Sequence, residues 1–283
     1  MDFLACSGYT APQTLANTVP FIQQDNADFM VMTLGGNDVG FAGIAIDCLV
    51  RPELIFRQPC PKSLSDAERK IADPALESDI HAVYDAVFAK MRDDHHYQLY
   101  HTFYHRFFND ETDWCDRETF STPISGPKLL KLRRQRINAL VDLMNGRLEG
   151  IAESYIRKQQ GKSSWSQGSR LIAINPDRLP KADGSGTYGL FDGHRFCEPG
   201  HTELEDDSVW FFGTIDHDSA PDGGNAGVKP TAIERRDEKD GRLEERQPWP
   251  EWVTQSFHPK TAGMKAIKRV VQENLQKYRA AER

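Results

Sequence analysis

Asn37 closes an apolar run, Asp28-Phe29-Met30-Val31-Met32-Thr33-Leu34, and follows Gly35-Gly36 directly. A carboxamide on so tight a turn is a neutral hydrogen-bond donor, although glycine and asparagine together also favour plain turns. His258 precedes Pro259 ahead of a helical run. An imidazole with its ordinary pKa of about 6.5 can take a proton and later return it, whereas a lone His-Pro at a helix start reads by itself as a loop residue. Other groups invite a metal reading. Asp216-His217-Asp218 has the ligand types, but its Gly- and Pro-rich setting makes solvated polar residues the expectation. Strand alternation puts His101 and His105 on one face, with His95 and His96 nearby, and packed or surface histidines are expected there. No metal and no organic cofactor is expected.

The elements that must hold these groups alternate in type. Residues 28–34 read as a buried strand feeding a tight turn. Residues 64–91 carry Ile71, Leu76, Ile80, Val83, Val87 and Met91 at helical spacing, with a break at Pro74. Tyr97 to Phe107 and Leu171 to Asn175 give two further strand signals. Between them Leu129 to Ile156 forms a long amphipathic helix with Ile137, Leu140, Met144, Leu148 and Ile151 as its apolar stripe, weakened by Gly146 and Gly150. Met264 to Tyr278 gives a closing helix. Lys128 to Arg136 reads as the solvated face where the long helix opens. Strands alternating with helices predict a three-layer α/β/α fold with a parallel sheet. Residues 1–283 are expected to form a single domain, with a long polar surface excursion at about 180–250.

Bulk properties narrow the partners. A net charge of −7 gives no electrostatic reason to bind nucleic acid, and no run approaches the roughly 20 apolar residues of a membrane span. The opening, Met1 to Gly8, lacks the charged and apolar regions of a signal peptide. The five cysteines nevertheless sit in loop-like surroundings that suit an oxidising compartment. A chain that begins late in its fold would reconcile the two.

Several segments, in order, resemble blocks of the SGNH/GDSL hydrolase superfamily, in its fungal and actinobacterial lipase-like branch. Ala5-Cys6-Ser7-Gly8-Tyr9-Thr10 is similar to the second block, and Thr33-Leu34-Gly35-Gly36-Asn37-Asp38-Val39-Gly40-Phe41 to the third. Phe107-Phe108-Asn109-Asp110 through Trp114-Cys115-Asp116, and Asp192-Gly193-His194-Arg195-Phe196-Cys197-Glu198, look like branch-specific segments. Ser256-Phe257-His258-Pro259 resembles the terminal block. The resemblance implies a flavodoxin-like α/β/α fold, with Gly8 N–H and Asn37 Nδ2 as oxyanion donors and His258 as the base. Two departures stand out. The position three residues before His258 holds Gln255 instead of the family's aspartate, so a main-chain carbonyl would have to orient the imidazole. No Gly-Asp-Ser block and no Gly-x-Ser-x-Gly elbow occurs. Ser208 and Ser219 follow aspartates but come after the Asn37 block, and Ser7 has no nucleophilic role in the family.

Under this resemblance the first strand, which should carry the catalytic serine, is missing, and that strand is interior in a 2-1-3-4-5 sheet. A poorly stable fragment or an incomplete chain is then expected. Cys48 would pair with Cys60 and Cys115 with Cys197, leaving Cys6 over, with a buried thiol as the alternative for Cys6. The activity implied is carboxylic ester hydrolysis by serine acyl transfer, on lipid acyl or acetylated-sugar esters, in a secreted protein. The alternative is a non-catalytic member of the same fold that binds an acyl or glycan ligand.

Overall fold

The structure, a computed structural model, describes residues 4, 8–23, 27–51, 59–90, 97–121, 126–160, 170–201, 203–204, 206–213 and 257–281. In chain order the elements are α1 (Ala11–Asn17), a 3-10 turn (Val19–Phe21), β1 (Phe29–Met32), α2 (Gly36–Val39), α3 (Phe41–Ala45) and a π-helical turn (Ile46–Val50). There follow α4 (Pro59–Ala72), α5 (Pro74–Phe88), β2 (Gln98–Thr102), a 3-10 turn (Trp114–Arg117) and α6 (Lys131–Gln159). The chain closes with β3 (Arg170–Ile174), the two-residue strands β4 (Leu179–Pro180) and β5 (Thr187–Tyr188), and α7 (Thr261–Ala281).

Local chemistry sets the boundaries. Thr10 and Gln13 form a reciprocal capping box at the start of α1, with Pro12 in its first turn. The break expected at Pro74 divides α4 from α5: Pro74 cannot donate to the preceding turn, and the Asp73 carboxylate accepts the Ala75 N–H at 2.9 Å. In α6 the weak formers Gly146 and Gly150 face open space, and the buried stripe around them carries the helix through. The second strand is shorter than the sequence suggests. Beyond Thr102 the chain leaves the sheet, because Tyr104 and Phe108 give their backbone groups to Asn145 and Asn138 of α6.

β1, β2 and β3 form a parallel sheet in that order, with Met30 opposite Leu99 and Leu99 opposite Leu171. Side-chain alternation splits the core in two. Leu99 and Leu171 join the larger cluster with Ile80, Val83, Tyr84, Met144 and Leu148, under α5 and α6. Tyr100, Ile172 and Ile174 join Val270 and Val271 of α7 on the opposite face. This is the layered α/β architecture expected from the sequence, with helices on both faces of a parallel sheet. β1 is an edge strand of the described sheet, and its Val31 is 45% exposed.

The polar stretch from about 180 to 250 is described in part. Where it is described up to residue 213, Phe191, Phe196, Val209 and Phe211 are fully buried in the larger core. Asp216-His217-Asp218 lies outside the described residues. Cys115–Cys197 ties this segment to the 3-10 turn after β2, and Cys48–Cys60 closes the loop before α4, as the resemblance implied. Cys6 is outside the described residues.

Arg134 is the largest fully buried side chain among the described residues. Its guanidinium donates to the carbonyls of Leu129, Asn109 and Thr112, and meets the Asp116 carboxylate at 2.9 Å. One cation thereby joins α6 to the whole loop 109–116. Replacing Arg134 with Met strands those acceptors. We expect a loss of about 3 kcal/mol in urea unfolding, accompanied by loosening of loop 109–116 in hydrogen exchange.

Candidate active site

The turn after β1 is held from below by three side chains of the next strand and its extension. His101 sits in the sheet core with Nε2 3.2 Å from the Leu34 carbonyl and Nδ1 2.6 Å from the Tyr84 hydroxyl. A carbonyl only accepts, so Nε2 carries the proton and Nδ1 accepts from Tyr84. Burial pushes the His101 pKa down to about 4, so the ring stays neutral and both bonds persist at pH 7. The Gly36 N–H donates to the Tyr104 hydroxyl at 2.7 Å, and the Thr33 and Thr102 hydroxyls meet at 2.6 Å.

Each glycine of the turn has its own reason. Gly35 adopts φ of +105°, which L side chains avoid. A Cβ on Gly36 would stand 2.6 Å from the Tyr104 hydroxyl oxygen. Asn37 follows as the second residue of α2, with an exposed side chain whose Nδ2 donates to the Tyr9 carbonyl at 3.1 Å. Asp38 beside it accepts the Ala11 N–H at 2.8 Å, and burial raises its carboxyl above the usual range. Two bonds therefore fasten the Gly8–Ala11 segment against the Asn37 turn. Gly8 itself has φ of +83° and is exposed. The structure brings these two sequence candidates together.

His258 is reached differently. The Phe212 N–H donates to the His258 carbonyl at 3.0 Å, and the Phe257 N–H donates to the Phe212 carbonyl at 2.8 Å. Phe257 has φ of +64°. Two residues thus oppose one, with the first in the left-handed region, which is the geometry of a β-bulge normally built on glycine. A bulge re-aims the side chain that follows it, and here that side chain is His258, which is exposed. The strain at a non-glycine residue is offset by burial, because Phe257 packs against Phe120 at 5.3 Å, Phe107 at 6.0 Å and Phe196 at 6.0 Å between centroids. Gln255 and Ser256 lie outside the described residues.

His105 connects the two halves. It stands three residues past the end of β2, among Phe191, Phe211 and Phe107 at 4.2, 4.5 and 5.5 Å, and both its ring nitrogens lack a hydrogen-bond partner. Burial, with a smaller contribution from the positive charge of Arg195, lowers its pKa to about 3. Phe257, next to His258, packs its ring 6.0 Å from that of Phe107, five residues past the C-terminal end of β2. Asn37 follows the C-terminal end of the neighbouring parallel strand β1. Both stand at the sheet edge where open α/β folds place their sites. The burial of His101 and His105 matches the packed reading of these histidines. The part His101 plays in fixing the turn is not legible in the sequence, because its contacts join residues 17 and 67 positions apart. Among the described residues no group of three or more His, Cys, Asp or Glu side chains could hold a metal.

A serine, a histidine and an aspartate do meet elsewhere. Ser208 Oγ lies 3.0 Å from His201 Nε2, and His201 Nδ1 lies 3.1 Å from Asp206 Oδ2. Ser208 Oγ is also 3.4 Å from His201 Nδ1, so it sits off the line of either nitrogen lone pair, and the Ser208 hydroxyl donates to Asp206 Oδ1. A hydroxyl bonded straight to a carboxylate in a two-residue turn is a loop lock, not a nucleophile activated by a base.

No family model matches this chain, and no curated protein matches it. Among solved structures it is similar to the extracellular lipase of Streptomyces rimosus, with 20% identity, a TM-score of 0.54, and coverage of 93% of this chain and 74% of that one. It is also similar to the phospholipase A1 of Streptomyces albidoflavus NA297, with 21% identity, a TM-score of 0.47, and coverage of 69% and 63%.

Two outcomes follow for this site. Tyr104→Phe leaves the Gly36 N–H without its acceptor and should cost about 1–3 kcal/mol, with the amide signals of residues 35–38 shifted in NMR spectra. The histidines His101 and His105 have folded pKa values of about 4 and 3, below the ordinary value of about 6.5. The unfolded chain therefore binds more protons below pH 6.5, and stability should fall on acidification by about 1.4 kcal/mol per pH unit for each buried ring, down to its folded pKa. His105→Leu removes one of the two, and urea midpoints between pH 6.5 and 4.5 should show a visibly shallower slope.

Proposed function

We propose that this protein is a carboxylic ester hydrolase acting on lipid esters through serine acyl transfer. The observation that carries the reading is the pair of preorganised groups at one sheet edge. Asn37 is a neutral amide donor on a turn clamped by His101 and Tyr104, and His258 is an exposed imidazole set on a bulge. Gly8 supplies the second donor, one residue before Tyr9, whose carbonyl accepts from Asn37. A fixed amide and a backbone N–H stabilise a developing oxyanion, each contributing about 3–4 kcal/mol, and the imidazole takes and returns the proton. The lipase-like fold supports lipid esters as the substrate class. Two disulfides suit an oxidising compartment and hence a secreted protein.

The attacking serine belongs, in this reading, to polypeptide outside these 283 residues. The support is chemical: no Gly-Asp-Ser block occurs in the sequence, and the serine–histidine–aspartate cluster at Ser208 is not activated. The edge strand β1 ends beside the Asn37 turn, so a parallel strand added to that edge would deliver its last residue to the same place.

Treatment of the native protein with a fluorophosphonate probe tests this. Labelling of a serine, slowed about 100- to 1,000-fold by Asn37→Ala and by a similar or larger factor by His258→Ala, is the expected result. Absence of labelling, with an acyl or glycan ligand retained, would make the protein a binding member of the fold instead.

A further inference from the structure

Phe212 is 40% exposed, whereas Phe211 before it is fully buried. The alternation is that of a strand, and residues 210–212 do pair with 257–260. The Lys260 N–H donates to the Trp210 carbonyl at 2.7 Å, Phe211 bridges Pro259, and the Phe212 N–H donates to the His258 carbonyl at 3.0 Å. Phe211 and Pro259 therefore share one face, and Phe212 and His258 the other. His258 is exposed as well. A phenyl ring and an imidazole thus stand as cross-strand neighbours at the surface, with Cβ atoms about 5 Å apart.

The same bonds seat both residues. The bulge at Phe257 is closed by the Phe212 N–H and the Phe212 carbonyl, so the device that aims His258 also fixes Phe212. The strand behind it is braced. The Trp210 N–H donates to the His194 carbonyl at 2.9 Å, and the His194 ring lies flat on the indole at 3.6 Å, its Nδ1 donating to the Ser208 carbonyl at 2.9 Å. An exposed ring held in this way is a preorganised contact surface.

The chemistry of ester cleavage decides which half of a substrate meets it. The acyl oxygen turns toward the oxyanion donors, whereas the imidazolium returns its proton to the leaving oxygen, which must come within about 3 Å of the ring. The alcohol half carried on that oxygen therefore passes beside His258. Phe212 has no side-chain donor or acceptor, and its backbone N–H and carbonyl are both used in the bulge. It gains only by removing apolar surface from water.

We propose that Phe212 is the contact surface for the alcohol half of the ester, and that it selects alcohols bearing a hydrocarbon group over unsubstituted polyols such as glycerol or a sugar. The proposal rests on the hydrolase reading and deepens it, because neither the oxyanion donors nor the base specifies the leaving side.

Binding of a product alcohol needs no nucleophile, which separates this proposal from turnover. Titration of the native protein with 1-hexanol should shift the NMR signals of the His258 ring saturably, and glycerol at the same concentration should not. Phe212→Ser should weaken hexanol binding about five- to tenfold, and Phe212→Leu, which keeps an apolar surface, less than about threefold. Phe21→Ser, at an apolar side chain 70% exposed after α1, should leave the titration unchanged. Circular dichroism melts of each variant check that it folds. No shift of the His258 signals with hexanol, an equal response to glycerol, or a titration unaltered by Phe212→Ser would overturn the proposal. The hydrolase reading falls on a different result, the absence of fluorophosphonate labelling.

Discussion

The Asn37 half of the candidate site depends on one buried imidazole. His101 is fully buried in β2, yet it is polar at both ends and satisfied at both ends, by Tyr84 and by the Leu34 carbonyl. Desolvation keeps the ring neutral, and neutrality is what lets Nδ1 accept while Nε2 donates. The Leu34 carbonyl is the last group before Gly35 turns into the left-handed region. The ring fixes the point from which the Gly35-Gly36-Asn37 turn is launched, and Tyr104 fixes its second residue. Small residues then let the backbone approach the sheet closely enough for both contacts.

The other half of the site rests on aromatic packing rather than hydrogen bonds. Phe257 accepts an unfavourable backbone conformation because Phe107, Phe120 and Phe196 enclose its ring. The same cluster continues through Phe211 and Phe191 to His105. Arg134 and the Cys115–Cys197 disulfide brace the loops that carry these rings. Apolar burial, one buried cation and one covalent link thus set the position of a single exposed histidine. A site assembled from distant chain segments requires such rigid support, because small displacements remove catalytic alignment.

The sequence is most legible where local chemistry dictates the outcome. Apolar runs ended by Gly-Gly, the Asp73-Pro74 stop and the stripe of α6 each encode their element within a few residues. The layered fold follows from their alternation, and the structural likeness to a lipase agrees with it. What could not be read is non-local or runs against propensity. Phenylalanine at a left-handed position gives no sign of a bulge, since glycine is the usual mark. The polar appearance of 180–213 hides Phe191, Phe196, Val209 and Phe211, whose spacing follows neither period. His105 shows nothing in sequence of a cage built from residues 107, 191 and 211. Asn37 and His258 were recognised as candidates, but what holds them lay in β2, in α5 and in the segment before α7.

Nitrogen-15 NMR of the histidine rings tests most directly whether His101 clamps the turn. The account predicts one ring with a protonated Nε2 and an unprotonated Nδ1, both unchanged from pH 7.5 down to pH 5, with the Nε2 proton protected from exchange. A His101 ring that titrates near its ordinary value of about 6.5, or that exchanges freely between tautomers, would contradict it.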